Sequence, residues 1–110
     1  MSERDDGLYL TDMWDAIIKV ESYIGAKLKD EFLKDDMTYD AVLRQLTILG
    51  EAANNISPAF RSAHPEIPWS KIVGFRNRLM HEYSNVENDI VWGVFVRDLP
   101  VLKKFLQPFA

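Results

Sequence analysis

The sequence contains no cysteine, so disulfides and thiolate-bound metals are excluded. Histidine occurs only twice, at His64 and His81, with no carboxylate cluster spaced around either, which argues against a metal site. No apolar run approaches the roughly 20 residues a membrane-spanning helix needs. The opening residues, MSERDDGLYL, lack the basic and apolar regions of a secretory signal, and a cytoplasmic location is expected. Positive charge is also in short supply. Thirteen Lys and Arg face 17 Asp and Glu, for a net charge of −4. A protein that grips long nucleic acid non-specifically is usually basic, so any action on RNA must run through a local cationic site.

What is present suits one compact domain. The length of 110 residues and a 47% hydrophobic content support a single core spanning residues 1–110. Helical periodicity runs through most of the chain, with no repeat or linker. Met13, Ile17, Val20 and Ile24 predict a helix over Thr11–Ile24, capped by Thr11 or Asp12 and weakened or bent at Gly25. A short charged helix is expected around Lys29–Lys34. Tyr39–Ile56 follows with Thr38 as its cap, and Gly50 inside it suggests a close helix–helix approach. Ser57-Pro58 reads as a cap and first-turn proline for a helix to Ala63. Trp69–Tyr83 is the third long segment. A polar break at Ser84–Asn88 precedes a last helix over Asp89–Phe105, interrupted by Pro100. Short connections between long helices imply an all-α, up-and-down bundle of four to five helices.

The segment Lys71–Tyr83, KIVGFRNRLMHEY, concentrates the chemistry. At about 100° per residue, Ile72, Leu79 and Tyr83 flank Arg76 on one side, and Val73 and Met80 flank it on the other. Arg76 therefore occupies the middle of an apolar face, where an unpaired guanidinium is costly unless it finds a partner or lines a cleft. Asn77 and His81, four apart, adjoin that face. His transfers protons near neutrality, Arg holds phosphate in a fork, and Asn orients a phosphate or the imidazole. RNA cleavage through its own 2′-OH needs proton transfer and charge stabilisation, without a metal in principle. Spacing alone leaves plainer readings open: a structural ion pair for Arg76, a capping or core histidine, and a packing tyrosine.

Arg76-Asn77-Arg78-Leu79-Met80-His81-Glu82-Tyr83 resembles the signature of the HEPN superfamily, and its R-x4-H-x-Y form resembles the HepT-like branch. The flanking blocks are similar too: Leu49-Gly50-Glu51-Ala52-Ala53, Pro65-Glu66-Ile67-Pro68-Trp69, Val91-Trp92 and Asp98-Leu99-Pro100-Val101-Leu102. The resemblance implies an all-α homodimer, with further assembly left open, whose paired motifs face each other across a cleft. It implies a metal-independent endoribonuclease toxin of a type VII toxin–antitoxin system, acting on tRNA or mRNA without a cofactor. Arg76 and His81 would be catalytic and Asn77 supporting. Tyr83 would be the AMPylation site used by a cognate minimal nucleotidyltransferase antitoxin. An alternative is a non-catalytic nucleotide- or substrate-binding partner of a nucleotidyltransferase. Arg44 and Glu51, on the second long helix, are further candidates for lining the cleft or pairing with Arg76. Otherwise they belong to a solvated stripe. His64 is expected on a surface turn, and Trp14, Trp69 and Trp92 as core or interface anchors.

Overall fold

The computed structural model describes residues 5–81 and 87–110. Helices α1 (Asp6–Ile24), α3 (Asp36–Asn55) and α5 (Trp69–His81) form three long rods. A fourth combines α6 (Asn88–Gly93), a π-turn over Val94–Asp98 and α7 (Leu99–Leu106). Short helices α2 (Lys29–Lys34) and α4 (Pro58–Ala63) join the rods, and no strand occurs among the described residues. The all-α bundle expected from the sequence is what the structure shows.

Helix α1 packs mainly on α3, and α3 also carries α5. The centre of the bundle is one cluster in which Met13, Ile17, Val20 and Ile24 of α1 meet Val42, Leu46 and Ala53 of α3. Phe32, Ile67, Val91 and Leu106 close it from the other segments, each essentially without exposure. Burying side chains of this kind contributes roughly 1.5–3 kcal/mol each, which drives assembly.

Helix α1 begins earlier than its periodicity predicts. Asp5 caps it by accepting from the Leu8 amide at 3.1 Å. Thr11, expected as the cap, instead donates its hydroxyl to the Gly7 carbonyl at 3.0 Å, inside the helix. Gly25 ends α1 rather than bending it: its φ of 55° lies in the positive region that glycine adopts at low cost. The cap of α3 is likewise Asp35, not Thr38. One carboxylate oxygen of Asp35 accepts from the Thr38 amide at 3.1 Å, and the other from the Thr38 hydroxyl at 2.8 Å.

Helix α4 starts at Pro58 behind Ser57, as the Ser-Pro pair predicts. Its cap is bolted to the start of α1. The Ser57 amide and hydroxyl donate to the two carboxylate oxygens of Asp6 at 2.8 and 2.6 Å. Arg61 of α4 then reaches back to the end of α3. It donates to the carbonyls of Ala53, Asn54 and Ile56 at 3.0, 2.8 and 3.2 Å. The Ala53 carbonyl also accepts from the Ile56 amide at 3.3 Å, so Arg61 adds to the closure of the helix end, and a cation suits the negative end of the helix dipole.

Pro100 interrupts the last rod through a π-turn, because proline removes one ladder donor and crowds the carbonyl four residues earlier. His64 is not a free surface residue. It ends α4 half-buried, with its ring 4.3 Å from that of Phe60 and 5.0 Å from that of Phe109. Its Nδ1 lies 3.4 Å from Glu66 Oε2, and its carbonyl accepts from the buried Trp69 indole at 3.0 Å. Trp14 and Trp92 are half-buried and pack against the core, which fits the anchor reading. No described helix is long and apolar enough to cross a membrane.

Candidate active site

Helix α5 carries the candidate residues, and the way it sits on α3 governs their geometry. Leu79 is buried, while Ile72, Val73 and Phe75 are half-buried against the core cluster. Arg76 lies on that same seam, as periodicity predicts. Its stem is accommodated because α3 presents Gly50 at the crossing. A Cβ on Gly50 would stand 2.8 Å from Arg76 Cγ, closer still to Arg76 Cβ, and 3.3 Å from the Ile72 carbonyl oxygen. The close approach suggested by a mid-helix glycine is therefore real.

The head of Arg76 is held on one side. Its Nη1 donates to Asn77 Oδ1 at 2.6 Å. Its Nε is buried and has no hydrogen-bond partner among the described residues. Among the described residues no carboxylate pairs with the guanidinium, so the ion-pair reading of Arg76 finds no support there. Neither Arg44 nor Glu51 contacts it by a hydrogen bond or ion pair among the described residues. Both are exposed on α3, roughly 100–120° around the helix from Gly50. Asn77, named as a supporting residue, holds the guanidinium through its Oδ1.

His81 closes the described part of α5 and is exposed, one turn beyond Asn77. Met80, 49% exposed, lies beside Arg76 on the helix surface, on the side of Asn77 away from His81. The resulting edge presents a cationic fork, an amide and an imidazole to solvent. Lys71 and Arg78, both exposed on α5, add positive charge to an otherwise acidic chain. Tyr83, the expected modification site, lies outside the described residues.

This arrangement can bind a phosphate through the Arg76 head and move a proton through His81. The comparison with protein families decides which lineage it belongs to: a family model described as "Ribonuclease HepT-like" matches residues 13–109. The chain belongs to the ribonuclease HepT-like family. The match takes in most of α1 and all of α2 to α7. One relative, named "Probable ribonuclease HepT", from Thermococcus cleftensis, is 39% identical over 95 residues, covering 86% of each chain. Another, named "Putative RNase MJ1380", from Methanocaldococcus jannaschii, is 35% identical over 104 residues, covering 94% of this chain and 95% of its own. No solved structure matches the chain. The HepT-like resemblance drawn from Arg76, Asn77, His81 and the flanking blocks is thus correct, and the family is one of ribonucleases.

Proposed function

We propose that this HepT-like protein is a metal-independent endoribonuclease that cleaves RNA at a cleft bordered by Arg76, Asn77 and His81. The observation that carries the reading is the Arg76 guanidinium, seated on the α3–α5 seam and turned by Asn77, with His81 one turn away on the exposed edge. A structural arginine at such a seam would be expected to meet a carboxylate. Among the described residues this one meets an amide, and its buried Nε has no hydrogen-bond partner, which suits a group awaiting phosphate.

In the proposed reaction, the ribose 2′-oxygen attacks the adjacent phosphorus and the bond to the 5′-oxygen breaks. His81 takes the 2′-hydroxyl proton. In-line displacement places the leaving oxygen on the far side of phosphorus, so a second proton carrier is needed there. The same histidine of a second copy, facing the first across a two-fold cleft, fills that role. Arg76 stabilises the extra negative charge on the phosphorane. Pairing also doubles the cationic groups in one groove, which offsets the net charge of −4. Arg44 and Glu51 of α3 would border this cleft.

Regulation follows the same electrostatics. AMP transferred to Tyr83 by a cognate nucleotidyltransferase antitoxin would place a phosphate two residues beyond His81, where substrate phosphate must bind. This makes the protein the toxin of a toxin–antitoxin pair, working in the cytoplasm on tRNA or mRNA.

The test is cleavage of total tRNA in EDTA by the wild type and by His81→Ala, with intact mass recorded first to establish the state of Tyr83. Cleavage by the wild type alone is expected. Equal cleavage by both proteins would remove His81 from the mechanism. No cleavage of tRNA or mRNA by the unmodified wild type would favour a non-catalytic partner of a nucleotidyltransferase.

A further inference from the structure

Two glycines lie inside the long helices α3 and α5, and their surroundings differ. A Cβ at Gly74 of α5 would meet nothing within 4 Å. A Cβ at Gly50 of α3 would press on the Cβ and Cγ of Arg76 and on the Ile72 carbonyl. None of these is the far end of a flexible chain. A rotamer change moves neither Arg76 Cβ nor the carbonyl, so any side chain at position 50 must push α5 away from α3.

The consequence falls on Arg76. Its stem is gripped from below by the bare backbone of Gly50. Its Nε is buried just above that contact, and its Nη1 is held sideways by Asn77 Oδ1. Stem and head are therefore fixed by two different neighbours on two different helices. Gly50 also has a thermodynamic cost, since glycine inside a helix is about 1 kcal/mol less favourable than alanine. At Gly74 that cost has no steric justification, whereas at Gly50 it does.

We infer that Gly50 is a positioning residue for Arg76: by lacking a side chain it sets how deeply the guanidinium sits in the α3–α5 seam, and so where it meets an RNA phosphate. The inference rests on the reading of Arg76 as the phosphate-binding group. Gly50 itself touches no substrate and acts only through Arg76. A displacement on the order of 1 Å in a catalytic constellation costs about a hundredfold in rate.

The experiment compares Gly50→Ala with Gly74→Ala in the full chain. It reads kcat and KM per folded molecule and, separately, the hydrogen exchange of the Arg76 Nε–H by NMR. Gly74→Ala should match the wild type in all three. Gly50→Ala should lose about a hundredfold in kcat, and its Nε–H should exchange faster as the seam opens. A purely structural glycine would lower the melting temperature and leave kcat per folded molecule and the Nε–H unchanged, and that result overturns the inference. If the wild type cuts no RNA, the nuclease reading fails, while the exchange measurement still decides the positioning. If Gly50→Ala does not fold, its stability is measured in an Arg76→Gly background. Its defect should shrink there, and an undiminished defect would show that Arg76 is not what Gly50 accommodates.

Discussion

Arg76 Nη1 donates to Asn77 Oδ1 at 2.6 Å, so adjacent residues on one helix hold a cation and an amide as a unit. Asn77→Ala frees the guanidinium without removing it. A hydrogen bond to a charged group is worth about 1.5–3 kcal/mol, toward the low end at an exposed site. A fall in kcat/KM of roughly tenfold is expected, against about 10²–10³ for Arg76→Ala. Cleavage assays on the two variants decide it; equal losses would mean that Asn77 does more than turn Arg76.

The buried Nε of Arg76 predicts a conflict between stability and activity. An unpaired buried N–H costs about 1–3 kcal/mol, more on a charged group. Arg76→Met keeps an unbranched stem against Gly50 and removes the orphaned donor. Its melting temperature should rise by about 5 °C, since 1 kcal/mol corresponds to roughly 4–8 °C in a domain near this size. RNA cleavage should vanish. A lower melting temperature would show that the guanidinium contributes to the fold after all.

Much of this was legible in the sequence because it depends on local pattern. The span of α2, the Ser57 cap of α4, the Pro100 interruption and the placement of Arg76 on an apolar seam follow from periodicity and backbone chemistry. The start of α1 was hidden because Gly7 sits in its first turn, where a helix reading stops. Asp35 prevailed over Thr38 at α3 because a carboxylate accepts from both the Thr38 amide and its hydroxyl. The Arg61 and His64 arrangements depend on contacts between separate segments, such as Phe60 with Phe109, and no spacing rule reports those. The Arg76–Asn77 bond was missed for another reason: neighbours in sequence point about 100° apart on a helix, and only the long arginine stem bridges them.

Arg61 should be among the more sensitive positions outside the core. It satisfies three carbonyls around the end of α3 while half-buried. Arg61→Ala removes these bonds, leaving Ala53 only its bond from the Ile56 amide, and is expected to cost about 2 kcal/mol, with a loss of roughly 10 °C in melting temperature. Arg61→Lys should recover only a part, because an ammonium lacks the fork that spans several carbonyls. A lysine variant as stable as the wild type would show that charge at the helix end, not geometry, is what matters.

Asp35 gives a pH dependence with a definite sign. The Thr38 amide, then its hydroxyl, hold its carboxyl below the ordinary value of 3.8; desolvation opposes them less strongly, and the positive charge of Lys27 adds a still smaller lowering. A group whose pKa is lower in the folded state stabilises above its unfolded pKa, and loses that contribution as pH falls through the folded value. Asp35→Asn preserves an acceptor for the Thr38 amide but cannot titrate. The stability gap between wild type and Asp35→Asn should therefore be constant near neutrality, narrow below about pH 4, and close once the folded carboxylate is protonated. Urea titrations of both proteins from pH 7 down to acid measure it. A gap that widens on acidification would mean the folded state raises the Asp35 pKa, and the capping geometry at α3 would need another explanation.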